Sequence, residues 1–197
     1  MYMSKKSNKK TIKLVLNITS IVLALFVVVS FFCMPVFTKT VTVELLGSKT
    51  TSTTQVTCLD LTSVGFRADE DVSKDISQAI LDGKDVLAKN LAYQIRENED
   101  SSFAFGLTLI VSYVALLFAV LTLIFSILSM FTKTGNFPLI FAIGLAASLI
   151  VVFIGGLLMA GGMGKDLLAT YSVGFGAIIT MIVGLCTVAT TFYANKK

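Results

Sequence analysis

Residues 103–131 read FAFGLTLIVSYVALLFAVLTLIFSILSMF, 29 residues without one charged side chain. Eighteen of them are Phe, Ile, Leu or Val, each favouring bilayer insertion by roughly 0.3 to 0.6 kcal/mol near a helix centre. One Lys there would cost roughly 2.5 to 3.5 kcal/mol. At 1.5 Å rise per residue the run is longer than the ~20 residues needed to cross a hydrocarbon core. It is therefore read as a membrane-spanning helix.

Three further runs have the same character: 14–37, 137–160 and 167–193, none with an internal charge. Together the four spans hold more than half of the 197 residues. The composition agrees, with 55% hydrophobic and 14% charged residues and a mean hydropathy of +0.85. A soluble domain carries nearer ~25% charged residues. A soluble enzyme, a disordered chain and a nucleic-acid binder are thereby excluded, despite a net charge of +4.

The position of the charges sets an expected topology. Lys5, Lys6, Lys9, Lys10 and Lys13 stand in the tail 1–13, Lys133 in the loop 132–136, and Lys196 and Lys197 in the tail 194–197, with no acid among them. The segment 38–102 carries seven cations and eleven anions, and the short loop 161–166 balances Lys165 against Asp166. The positive-inside rule then puts both termini in the cytoplasm and residues 38–102 outside. The first run is too long for the apolar core of a signal peptide, and bulky Phe31 and Phe32 offer no small-residue cleavage site. It is expected to be retained, with Pro35 near its outer end. The expected fold is mainly α: a four-transmembrane-helix bundle with a small α+β extracytoplasmic domain between the first and second spans.

Within that domain Thr40-Val41-Thr42-Val43-Glu44-Leu45 alternates strictly, the mark of a half-buried strand. Gly47-Ser48-Lys49 supplies a turn, and the Thr-rich run 53–61 reads as the returning strand. Asp69-Glu70-Asp71 opens a helical pattern through Val72, Ile76, Ala79 and Ile80, which Asp82-Gly83 either ends or breaks. A second helical stretch, 85–96, spaces Leu87, Leu91 and Ile95 by four, and Asp100-Ser101-Ser102 is expected to cap the second span. A hairpin with one or two helices holds little core of its own. The domain is expected to rest on the membrane face, the span ends or a partner chain.

Small residues recur along the spans. Ser112, Ala115, Ala119, Thr122, Ser126 and Ser129 repeat at 3,4,3,4,3 in the second, Gly144, Ser148, Gly156 and Ala160 share a row of the third, and Gly176, Thr180 and Gly184 recur by four in the fourth. Asn17, Ser20 and Ala24 add to these from the first. Such faces let helix backbones approach where lipid is as apolar as Leu. Gly174-Phe175-Gly176 lacks the preceding strand of a dinucleotide motif and is read as packing.

No span holds Asp, Glu, Lys, Arg or His, and the chain has no His at all. Proton relays, ion-coupled transporters and intramembrane hydrolases use such groups. The acids Asp69, Glu70, Asp71 and Asp75 lack the spacing of a calcium loop and suit a helix start. Cys33, Cys58 and Cys186 have no metal-type spacing. Cys58, alone in the outer segment, is read as a buried strand residue or an intermolecular thiol. Asn17-Ile18-Thr19 is a chance glycosylation match at the inner end of a span. No residue is assigned a catalytic, cofactor-binding or metal role.

Four spans, internal termini and a large first outer loop with strands resemble the claudin-like tetraspan arrangement. The paired cysteines and Trp of a claudin first loop are missing, since the chain has no Trp and Cys58 stands alone. The expected function is a non-enzymatic multi-pass protein of the cell membrane acting through protein–protein interaction, as an accessory subunit, scaffold or adhesion component. Its expected partners are the lipid bilayer, another integral membrane protein or a second copy, and anionic inner-leaflet lipids at Lys5, Lys6, Lys9 and Lys10. A small channel or transport subunit with a Ser/Thr-lined path is the alternative. A lipid-acting enzyme would need carboxylates such as Asp82, Asp85 and Asp100 to converge.

Overall fold

Pro35 decides where the first helix stops. It cannot donate to a helical ladder, and the chain passes from helix α1 (Tyr2–Cys33) straight into strand β1 (Pro35–Leu45). The computed structural model describes every residue except 1, 46–47, 83–84, 133, 165–167 and 197, and for 2–9 and 45 the backbone only. The turn glycine Gly47, Gly83, Lys133, Lys165, Asp166, Leu167 and Lys197, and the side chains of Lys5, Lys6 and Lys9, lie outside the described residues.

After β1 come β2 (Ser48–Thr57), α2 (Cys58–Gly65), α3 (Asp69–Leu81), α4 (Leu87–Glu97), α5 (Glu99–Phe131), α6 (Phe137–Gly162), β3 (Ala169–Val173) and α7 (Phe175–Lys196). The structure is thus mostly helical with a small three-stranded sheet. Four helical segments, Lys10–Cys33, Glu99–Phe131, Phe137–Gly162 and Phe175–Lys196, are long and apolar enough to cross a membrane. They mark a multi-pass membrane protein.

The sheet has the order β2-β1-β3, with β1 antiparallel to both neighbours. Leu45 faces Ser48 across the hairpin, and Phe37 faces Val173 on the other side. Gly174 N–H donates to the Val36 carbonyl at 2.8 Å and Thr42 N–H to the Leu168 carbonyl at 2.9 Å, extending the β1–β3 ladder at both ends. Lys39 lies 5.5 Å from the centre of the Tyr171 ring on the facing strand.

Several expected boundaries move. Pro35, Val36 and Phe37 belong to β1, not to the first span. The fourth helix opens at Phe175 rather than Leu167, because Ala169–Val173 pairs with β1 as a strand. The returning strand covers 48–57, not 53–61. Thr57 ends it as a helix cap: its Oγ1 accepts from the Asp60 amide at 3.3 Å, while Asp60 Oδ2 accepts from the Thr57 amide at 2.8 Å. Cys58 is therefore the first residue of α2 and not a strand residue. Helix α5 starts at Glu99, with Asn98 Oδ1 accepting from the Asp100 amide at 3.0 Å, so Asn98 does the capping expected of Asp100-Ser101-Ser102. At their C-terminal ends α6 runs to Gly162 and α7 to Lys196, into segments expected to be a loop and a tail.

The chain divides into two compact units. One comprises 1–30, 112–150 and 179–197, and the other 31–111 and 151–178. This division cuts through α1, α5, α6 and α7. In the all-helical unit Val27 of α1, Ala115 and Ala119 of α5 and Leu145 and Leu149 of α6 share one apolar cluster, with Val183 of α7 packed against it. In the sheet-bearing unit Phe37, Val56, Leu61, Val72, Leu91 and Ile95 form a core. Ala104, Phe105 and Leu109 of α5, Val152 and Met159 of α6, and Ala177 of α7 complete it. A hairpin with three short helices thus gains its core from the helix ends, the second of the supports expected for it.

Candidate functional site

Within the all-helical unit, Ser112, Ala115, Ala119, Thr122 and Ser126 of α5 are buried, as are Ser148 of α6 and Thr180 of α7. Two glycines show why small residues stand here. A Cβ on Gly144 would come within 2.9 Å of the Phe118 ring, and one on Gly184 within 2.8 Å of Leu149 Cδ1 and 3.4 Å of the Ala146 Cα. Several hydroxyls are occupied along their own helices, whereas Ser126 Oγ is buried with no hydrogen-bond partner among the described residues. Thr122 donates to the Phe118 carbonyl at 2.7 Å, Ser148 to Gly144 at 2.8 Å, Thr187 to Val183 at 2.8 Å and Thr191 to Thr187 at 2.6 Å. One hydroxyl cluster joins two helices: Ser20 Oγ of α1 lies 2.9 Å from Thr190 Oγ1 and 3.2 Å from Thr191 Oγ1 of α7.

Two candidates from the small-residue rows sit in the other unit and meet the sheet. A Cβ on Gly156 would lie 3.3 Å from Val173 Cγ1 and 3.4 Å from the Val36 carbonyl oxygen. On Gly176 it would lie 2.6 Å from Met34 Cβ and 2.6 Å from the Pro35 carbonyl oxygen. Their smallness admits strand backbone. Ala160 packs half-buried against the sheet-unit core.

The surface of the sheet-bearing unit carries apolar side chains on its short helices. The periodic stripes of α3 and α4 are buried at Val72, Ile76, Leu91 and Ile95. Ile80 and Leu87, expected on the same stripes, are exposed at 57% and 60%, and between them Leu81 is exposed at 81%. All three flank the α3–α4 connection. Phe66, next to the end of α2, is exposed at 66%, and Leu59 of α2 is also exposed. None belongs to the four long apolar helices, so their exposure has no explanation in the span surfaces.

One residue that the stripes did not single out organises this unit. Arg96, near the end of α4, is 14% exposed at its side chain. Its Nη1 donates to the Val64 carbonyl at 2.6 Å and the Arg67 carbonyl at 3.0 Å. The guanidinium also pairs with Asp69, at the start of α3, and with Glu97, and lies 5.3 Å from the Tyr93 ring centre. Beside it, Arg67 pairs with Asp75, which Lys89 also approaches at 3.6 Å. The hydrogen bond from Arg67, with the charges of Arg67 and Lys89, holds the Asp75 carboxyl below its ordinary range, and Asp75 raises Arg67 in turn.

The acids therefore have local duties. Asp69, Glu70 and Asp71 fill the first turn of α3. Asp82 closes α3 and accepts from Gln78 Nε2 at 3.2 Å; Asp85 Oδ1 accepts from the Leu87 amide at 3.1 Å; Asp100 stands in the first turn of α5. Among the described residues no group of three His, Cys, Asp or Glu is placed to hold a metal. Cys58 is buried, while Cys33 and Cys186 are exposed on their helices. Compared with protein-family models, curated proteins and solved structures, the chain matches none.

Proposed function

We propose that this is a non-enzymatic membrane protein that works by binding another integral membrane protein, or a second copy of itself, as an accessory subunit, scaffold or adhesion component. The carrying observation is the exposure of Ile80, Leu81 and Leu87 around the α3–α4 connection and of Phe66 just after α2, none of them in a spanning helix. Exposed apolar clusters on an otherwise polar surface mark interaction sites. In this reading the sheet-bearing unit faces outward from the cell membrane and both termini are cytoplasmic, in keeping with the lysines near the chain ends. The hydroxyls of Thr122 and Ser148 in the small-residue rows, and of Thr187 beside them, bond to their own helix carbonyls, which favours a closed packing role over a wet path.

The test is affinity isolation of the full chain from its own membranes in mild detergent, beside Leu81→Asp and Phe66→Asp variants. A stoichiometric membrane partner or cross-linked second copy is expected with the unaltered protein and lost with either variant. Selective flux through liposomes holding only this protein would overturn the proposal and favour the channel alternative. Association that survives both variants would remove the assigned surface.

A further inference from the structure

A cavity of about 760 Å³ opens in the all-helical unit, lined by α1, the end of α5, the α5–α6 connection and the end of α7. Among the described residues its charged side chains are Lys10 and Lys13, and no carboxylate lines it. Neither lysine has an acidic partner among the described residues. Asn17, one turn beyond Lys13, also lines it; Asn17 is only 7% exposed and its amide has no hydrogen-bond partner among the described residues. Asn195 Nδ2, on the far side in α7, is buried and likewise unpartnered. A buried amide without a partner is costly, and Asn195 Nδ2 is such a group beside the same cation-bearing space that the Asn17 amide lines. Gly135 and Asn136 complete the wall, immediately before α6 opens at Phe137, so the positive end of that helix borders the cavity.

Positive charges, amide donors and a helix N-terminus, without a carboxylate, make a site for an oxyanion of phosphate type. The rim points to its source. Leu14 and Phe131 line the cavity and are exposed, and exposed Val15, Ile18 and Leu128 continue the apolar surface along the spanning helices. A ligand with a charged head and long apolar tails fits both parts. We propose that this cavity binds one phosphate-bearing anion, presented as the headgroup of an anionic phospholipid. It differs from diffuse attraction of a basic tail to a charged leaflet, because it needs Lys10, Lys13 and the amides Asn17 and Asn195 together. It does not depend on the protein partner proposed above.

The full chain in detergent, titrated with phosphatidylglycerol or phosphatidylcholine and read by native mass spectrometry, tests this. One phosphatidylglycerol is expected to bind at least tenfold more tightly than phosphatidylcholine. Lys10→Gln with Lys13→Gln should weaken it more than tenfold, and Asn17→Leu by about fivefold. Lys5→Gln with Lys6→Gln, removing equal charge from the same tail, should change it less than twofold. Lys10 and Lys13 are exposed, so replacing them leaves the fold intact and the comparison holds even where Asn17→Leu unfolds. Equal binding of the two lipids, or equal effects of the two lysine pairs, would overturn the proposal. Inorganic phosphate that binds the lipid-free protein as tightly as phosphatidylglycerol would overturn the lipid as source.

Discussion

Replacing Arg96 by Ala should loosen α2 before anything else. The guanidinium supplies two charge-assisted hydrogen bonds, to the Val64 and Arg67 carbonyls, each worth roughly 1.5–3 kcal/mol when the donor is charged. Two effects reduce the sum. The Val64 carbonyl also accepts from the Phe66 and Arg67 amides, and Asp69 is 67% exposed, so that ion pair adds less than about 1 kcal/mol. A net loss of about 2–4 kcal/mol remains. At 1.4 kcal/mol per decade this is a roughly 30- to 700-fold increase in local opening. Amide hydrogen exchange of Cys58–Gly65 in nanodiscs reads it directly, with the spanning part of α6 as internal reference. Arg96→Lys should recover only part, because one ammonium cannot reproduce the planar fork that reaches two carbonyls. Exchange of α2 within threefold of the unaltered protein after Arg96→Ala would refute the reasoning.

Two glycines should behave oppositely. A Cβ on Gly174 would overlap the Pro35 carbonyl, whereas one on Gly106 meets nothing within 4 Å. Gly174→Ala should destabilise by about 1–3 kcal/mol or more and Gly106→Ala be neutral or stabilising by up to about 1 kcal/mol, both read by thermal unfolding in detergent. Because Asp75 is depressed in the folded state, its contribution is present above the ordinary carboxylate range and is lost as pH falls through the folded value. Arg67→Gln should move the Asp75 carbon titration upward by NMR, and high salt should shrink the difference, since both groups are solvent-exposed. Buried Cys58 should resist a water-soluble maleimide until the protein unfolds, measured in a Cys33→Ser/Cys186→Ser background. Labelling at the rate of a free thiol would contradict that burial.

The apolar runs were legible because length and lack of charge suffice to identify a spanning helix. Val72 and Ile76, and Leu91 and Ile95, were legible because a period near four marks a buried helix face. Strand β3 was not, since Ala169-Thr170-Tyr171-Ser172-Val173 has no charge and joins the apolar run after it. Its weak signals are the alternation of Thr170 and Ser172 with Tyr171 and Val173, and the Gly174 that follows. The start of α2 could have been read from Thr57-Cys58-Leu59-Asp60, a capping box with Asp in place of Glu. Arg96 was hidden because its main partners are main-chain carbonyls 32 and 29 residues away. The lysine cavity was hidden because its walls come from distant segments of chain. The exposure of Leu87 and Ile80 runs against their periodicity, which places both on the buried stripes of α3 and α4.

The central position of β1 has a consequence for synthesis. Its β2 partner follows within a few residues, but its β3 partners, from Val41↔Ala169 to Phe37↔Val173, emerge near the end of the chain. At about 5–20 residues per second, the roughly 130 residues between Val41 and Ala169 occupy the ribosome for on the order of 6 to 26 s. For that interval one edge of β1 offers unpaired amides and carbonyls, the feature that recruits foreign strands. The nascent chain therefore needs a holding factor or rapid membrane insertion, and a message truncated before Ala169 yields a product with a permanently open edge, prone to aggregate.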